Sequence, residues 1–215
     1  MPSALRSRGL ALAVLAAGMA ASLAMNAQRW RTDRALAERL RSVARGEPPA
    51  LSATPRVSIL VAAWNEAGGL ERHLHSIQAL PYPNIEYIVA AGGHDGTLET
   101  ARQRTWPGCT VVEQRAGEGK QAALRRALAH TTGDIILLTD ADCVLDGASF
   151  ARLIAPIANG QEQVVTGDSV PLPEQRLGGG LAVFRWAADA YAFARMAQHV
   201  EGILGRNCAL TRQAL

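Results

Sequence analysis

The chain has 215 residues, 48% of them apolar, which is enough for one α/β domain with a real core plus an accessory segment and excludes a disordered protein. Lys and Arg number 22 against 19 Asp and Glu, a net charge of +3 that falls short of a nucleic-acid footprint, so no nucleic-acid partner is expected. Three cysteines, Cys109, Cys143 and Cys208, without paired spacing argue against a disulfide framework or a zinc site and for a reducing compartment.

The first predicted element runs from Gly9 to Ala27, GLALAVLAAGMAASLAMNA, an uncharged stretch long enough for a bilayer core of about 30 Å at about 1.5 Å per residue. Residues 1–28 are read as a membrane anchor. A cleaved signal peptide is the rival, because Arg6 and Arg8 precede the stretch and small residues surround Ala20 to Ser22; a buried helical hairpin is the plainer alternative. Arg29, Arg31, Arg34, Arg39, Arg41 and Arg45 follow it, so the positive-inside rule places the remainder in the cytoplasm, at the inner membrane. Residues 29–55 then comprise a charged juxtamembrane helix from Thr32 to Arg45 and a linker from Gly46 to Pro55 carrying three prolines.

From Arg56 onward strands and helices alternate. Strands are predicted at Val57 to Ala63, Ile85 to Ala90, Thr110 to Glu113 and Asp134 to Thr139, with helices from about Ala67 to Leu80, from Thr97, and from Gly119 to His130. This spacing is that of βαβ units and a mostly parallel sheet flanked by helices. Farther on, Gln163 to Gly167 reads as another strand and Leu181 to His199 as an aromatic-rich helix.

The chemistry concentrates where the last of those parallel strands stops. In GDIILLTDADC an apolar run of four ends in Asp140 and Asp142, and in open α/β sheets the ligand crevice lies outside the carboxyl ends of the strands. Two acids at i and i+2 of an extended chain share a side and so can share one cation; oxygen-only ligation suits Mg2+ or Mn2+. The competing view has Asp140 capping the next helix. The first strand ends in Ala63-Trp64-Asn65-Glu66, where a base could stack or hydrogen-bond, unless Asn65 or Glu66 merely caps the helix after it. Ala90-Ala-Gly-Gly-His-Asp-Gly-Thr97 is a glycine-rich turn that a ligand could approach closely, although its glycine spacing does not match a dinucleotide fingerprint. Gly117-Glu-Gly-Lys120 fails as a phosphate loop, with Gln114 and Gln121 at the required positions, yet Lys120 near a helix start can still meet a phosphate. Cys143 beside the acids is read as a small apolar residue, not a nucleophile.

Taken in order, VSILVAAWNE, IEYIVAAGGHDGT, EGKQAALRRAL and GDIILLTDADC resemble the family-2 glycosyltransferases, membrane-associated enzymes of the GT-A fold, from about Val57 to the C-terminus. The resemblance implies a Rossmann-like α/β domain over residues 56–215. It implies nucleotide-sugar contacts by Ala63, Trp64, Asn65, Glu66, Asp95, Lys120 and Asp140, a Mg2+ or Mn2+ ion on Asp140 and Asp142, and an acceptor side at Gly205 and Asn207. The donor would be a UDP- or GDP-sugar, the acceptor a lipid or polysaccharide, and the reaction an inverting transfer. Ala90 and Ala91 stand where the family commonly has paired aspartates that read the base. The family's general base and QxxRW segment would follow Leu215, so a fragment or a truncated, inactive product is expected. Two other functions stay open: a sugar nucleotidyltransferase, whose glycine- and arginine-rich phosphate loop VAAWNEAGG lacks, and a non-catalytic nucleotide-sugar-binding protein.

Overall fold

The structure is a computed structural model that describes residues 2–167, 169, 172 and 207–215, without the side chains of residues 2–13, 33, 36, 37 and 39–45. The chain divides into two compact units, one containing the N-terminal helix and the other formed by residues 47–175 and 202–215.

In the first unit, helix α1 (Pro2–Arg45) joins the expected anchor and the expected juxtamembrane helix into one element without a break. Val14, Leu15, Met19, Leu23, Met25 and Trp30 are exposed, and farther along Arg34 lies over the Trp30 ring and pairs with Glu38 at 3.0 Å. Among the described residues no helix is long and apolar enough to cross a membrane.

The second unit is built on a six-stranded sheet of order β3-β2-β1-β4-β6-β5, comprising β1 (Val57–Trp64), β2 (Ile85–Gly92), β3 (Cys109–Glu113), β4 (Ile135–Asp140), β5 (Val164–Thr166) and β6 (Cys208–Thr211). Strands β3, β2, β1 and β4 are parallel, and β6 runs antiparallel to both of its neighbours. The four parallel strands are those expected from the sequence.

Both faces of the sheet are covered, and residue alternation along β1 sorts the two cores. Val57, Ile59, Val61 and Ala63 point toward α2 (Ala67–Gln78), α3 (Thr97–Gln103) and α5 (Gly147–Ala158), meeting Leu70, Leu74, Ile77, Ala101, Phe150 and Ile154. Leu60, with Ile88 and Ile136 beside it, packs on the opposite face against Ala123 and Ala127 of α4 (Lys120–Leu128). Helix α5 and strand β6 have no counterpart in the sequence-based expectation. Helix α5 begins at Asp146, whose carboxylate accepts the Ser149 amide at 2.8 Å, and it buries Phe150, Leu153, Ile154 and Ile157 along one stripe.

The segment expected as a linker has no regular structure but is strapped to the sheet unit. Ser52 N donates to Asn159 Oδ1 at 2.8 Å, Asn159 Nδ2 returns a bond to Ala50 O at 3.1 Å, and Tyr82 donates its hydroxyl to Pro55 O at 2.6 Å. Prolines prevent a helix here without leaving the segment free. The predicted helix from Leu181 to His199 lies outside the described residues.

Candidate active site

Strand β1 is flanked by β2 on one side and β4 on the other, so the connections leave it in opposite directions. Such a switch point opens a crevice at the strands' carboxyl ends. A cavity of about 520 Å3 lies there, lined by Ala62 and Trp64 of β1, Glu66, Asp140 to Asp142, the loop residues Gln114, Arg115, Gly117 and Gly119, and Lys120 at the start of α4. That size and place suit a small-molecule site.

The two acids meet at the cavity by a route other than strand alternation. Asp140 ends β4, and the chain then turns, with Cys143 N donating back to Asp140 O at 3.1 Å, so Asp142 belongs to a turn rather than an extended segment. Neither caps a helix, since Asp146 fills that position for α5. Lys120 Nζ donates to Asp140 Oδ1. Burial pushes the Glu66 carboxyl above its ordinary value, Asp142, Asp140 and Asp95 push it further, and Lys120 opposes them. The cavity lining thus carries three carboxylates, Glu66, Asp140 and Asp142, against the two cations Lys120 and Arg115.

This donor set fits a hard divalent cation. Among the described residues no group of three or more His, Cys, Asp or Glu side chains is placed to hold a metal by itself. Among the described residues the donors are carboxylates without a closed zinc-type cage, and Mg2+ and Mn2+ keep part of their shell for water and phosphate oxygens.

The rim formed by β1 is held by the loop after β2. Asn65 has φ 57°, a left-handed conformation asparagine tolerates, and its Oδ1 accepts the His94 amide at 2.8 Å. Glu66 N donates to Thr97 Oγ1 at 2.7 Å and Ala67 N to Asp95 Oδ2 at 3.0 Å, so the free amides opening α2 are met from another loop, not by Asn65 or Glu66 side chains. Two glycines of that loop, Gly92 and Gly93, are required by the chain's own packing. A Cβ on Gly92 would sit 2.4 Å from Gln114 O and 2.8 Å from the Trp64 ring, and one on Gly93, at φ 121°, would sit 2.2 Å from Asn65 Oδ1.

Of the residues singled out in the sequence, Trp64, Glu66, Lys120, Asp140 and Asp142 line the cavity together. Ala63 is buried in the core beneath, and Asn65 and Asp95 lie in the supporting turn, with Asp95 also accepting from Thr97 N and Thr97 Oγ1. Asn207 is buried behind β4, accepting from Thr139 Oγ1 at 2.8 Å and donating to Ser169 Oγ at 2.8 Å; Gly205 lies outside the described residues. The Cys143 thiol is pushed up by burial and then by Asp142, which keeps it protonated and fits its apolar reading. Gln114 and Arg115 were not anticipated; their signal is position alone, directly after a parallel strand's carboxyl end.

Residues 58–206, more than half of the chain, match the model of the Glycosyl transferase family 2 domain. The chain belongs to that family. Its relatives include the glycosyltransferase AglE of Haloferax volcanii, 29% identical over 97 residues that make up 43% of this chain and 32% of that protein. Another is the beta-monoglucosyldiacylglycerol synthase of Synechocystis sp., 33% identical over 113 residues, 49% of this chain and 23% of that protein. The chain spans a third or less of the length of these curated relatives. Among solved structures, the mannosyltransferase PcManGT from Pyrobaculum calidifontis, in complex with GDP-Man and Mn2+, superposes with a TM-score of 0.61 at 24% identity, over 89% of this chain and 55% of that one. At that identity the likeness establishes a shared α/β fold consistent with GT-A.

Proposed function

We propose that the sheet unit binds a nucleoside-diphosphate sugar, UDP- or GDP-linked, and that the protein passes the sugar to a lipid or polysaccharide hydroxyl with inversion. The observation that carries this reading is the convergence of Asp140, Asp142, Glu66 and Lys120 on one cavity at the β1–β4 switch point of a family-2 chain. Trp64 offers a flat wall against which a base can stack. Lys120 and the free amides of α4's first turn favour the diphosphate oxygens, and Arg115 adds a second cation on the same side. Asp140 and Asp142 would hold Mg2+ or Mn2+, which when bound neutralises charge developing on the leaving diphosphate. Asn65 and Asp95 act by holding the turn that carries Trp64 and Glu66. The acceptor hydroxyl attacks the sugar carbon opposite the diphosphate, and its prior placement contributes much of the acceleration.

The lipid acceptor is supported by the exposed apolar side chains of α1 and by a relative named for a glucosyldiacylglycerol product. The same apolar stretch, with arginines after it, supports an anchor in the inner membrane and a cytoplasmic sheet unit. Calorimetry of the full chain with UDP and with GDP, in Mn2+ and in EDTA, tests the reading. One nucleotide should bind at least about tenfold tighter with Mn2+, an effect Asp142→Asn removes; equal affinity in both buffers contradicts it.

A further inference from the structure

The acid turn is fastened along one face of α2. Residues 69, 73 and 76 lie at i, i+4 and i+7, a single helical stripe, and each meets successive residues of the segment that carries Asp142. At Gly69 the helix backbone comes so near that a Cβ would stand 3.5 Å from Asp142 Cα and 3.6 Å from Ala141 O. One turn on, His73 Nδ1 is 2.7 Å from Cys143 O. A carbonyl only accepts, so Nδ1 carries the hydrogen and donates. Ser76 Oγ then accepts the Leu145 amide at 3.2 Å while its own hydrogen goes to His73 O at 2.7 Å.

His73 is the unusual member of this stripe. It is fully buried, edged by Tyr87 at 5.7 Å between ring centroids, and its Nε2 has no hydrogen-bond partner among the described residues. Leucine would fill such a site without leaving a polar atom unpaired, so packing alone does not account for an imidazole. What leucine lacks is the donor that reaches Cys143 O. The other end of α2 starts at Glu66 and is fixed by Thr97 and Asp95, so a single rigid helix spans from the Glu66 rim to the Asp142 rim.

We infer that His73 is a positioning residue of the site: through its bond to Cys143 O, with Gly69 and Ser76 on either side, it holds the turn so that Asp142 faces the cavity beside Asp140. This rests on the proposed cation-binding role of the two aspartates, and its test separates the two ideas. His73→Leu removes the donor at similar volume; His73→Asn retains one close to the Nδ1 position. Binding of Mn2+, alone and with UDP or GDP, is read by electron paramagnetic resonance, and amide hydrogen exchange reports the turn without any ligand. His73→Leu should weaken Mn2+ binding about 10- to 100-fold, the range for residues that orient metal ligands, and speed exchange of the Cys143 and Leu145 amides. His73→Asn should recover most of both. Wild-type Mn2+ affinity and exchange in a folded His73→Leu protein, or no recovery in His73→Asn, overturns the inference alone. If the wild-type protein binds no Mn2+, the cation reading falls, and the exchange data still decide whether His73 orders the turn.

Discussion

Where the strands of the sheet begin, Glu86 is enclosed by Ser58, Thr132 and Gly133, which donate to its carboxylate, and by Arg56, which pairs with it at 3.0 Å. Where the same strands end, Asp140, Asp142 and Glu66 face a cavity with Lys120 as the cation bonded to Asp140. Burial alone would raise Glu86, but the bonds from Ser58, Thr132 and Gly133 outweigh it and hold the carboxyl below its ordinary value. At the other end Glu66 is raised by burial and by the acids around it. Acidic groups at the first end are satisfied by the chain itself and serve the fold. Those at the second end are left wanting positive charge, which is the condition for binding a cation with its phosphate ligand.

The sharpest way to break that contrast is at the open end. Asp142→Asn should remove the Mn2+-dependent gain in nucleotide binding, about tenfold or more, while leaving the melting temperature at or above that of the parent, because removing one of several like charges relieves repulsion. Calorimetry and a thermal melt on one preparation read both.

Glu86→Gln is the mirror experiment and should do the reverse. It is expected to destabilise the protein by about 2–3 kcal/mol at neutral pH through lost charge-assisted hydrogen bonds, with nucleotide binding unchanged. Because the folded-state pKa is depressed, Glu86 contributes stability above its unfolded value of about 4.3, and that contribution disappears as pH falls through the lower folded value. Denaturant titrations should therefore show the two proteins converging in acid.

A change at the base-side wall sharpens the comparison further. Gly92→Ala places a methyl 2.4 Å from Gln114 O and against Trp64; a loss of about 1–3 kcal/mol from overpacking is expected, together with weaker nucleotide binding as Trp64 moves. The smallest effect is expected for Asp95→Ala, whose carboxylate is solvent-facing yet bonded to Ala67 N and Thr97. A slight fall in melting temperature with a modest loss of nucleotide affinity would place it in support of the rim.

The parallel part of this architecture was readable because its strands are apolar runs broken by helical periodicity. Helix α5 carries its own sequence signal, in the Asp146 cap and in Phe150, Leu153, Ile154 and Ile157 at helical spacing. Strand β6 has none: four residues that become a strand by pairing with β4, some seventy positions away in sequence, carry no local period. The acids, Trp64, Glu66 and Lys120 were legible from strand ends and turn composition. The role of His73 was not, because a histidine on the apolar stripe of a helix looks like core until the turn it bonds to is brought against it.

In the proposed function, Asp140 and Asp142 turn from Lys120 and the neighbouring acids to a shared divalent cation when a nucleoside diphosphate enters the cavity. A crystal of the full chain grown with Mn2+ and UDP or GDP, measured at the manganese absorption edge, tests it most directly. An anomalous peak coordinated by both aspartates and by diphosphate oxygens is expected, with the base against Trp64. A nucleotide bound with Asp140 still paired to Lys120 and no manganese between the carboxylates would contradict it.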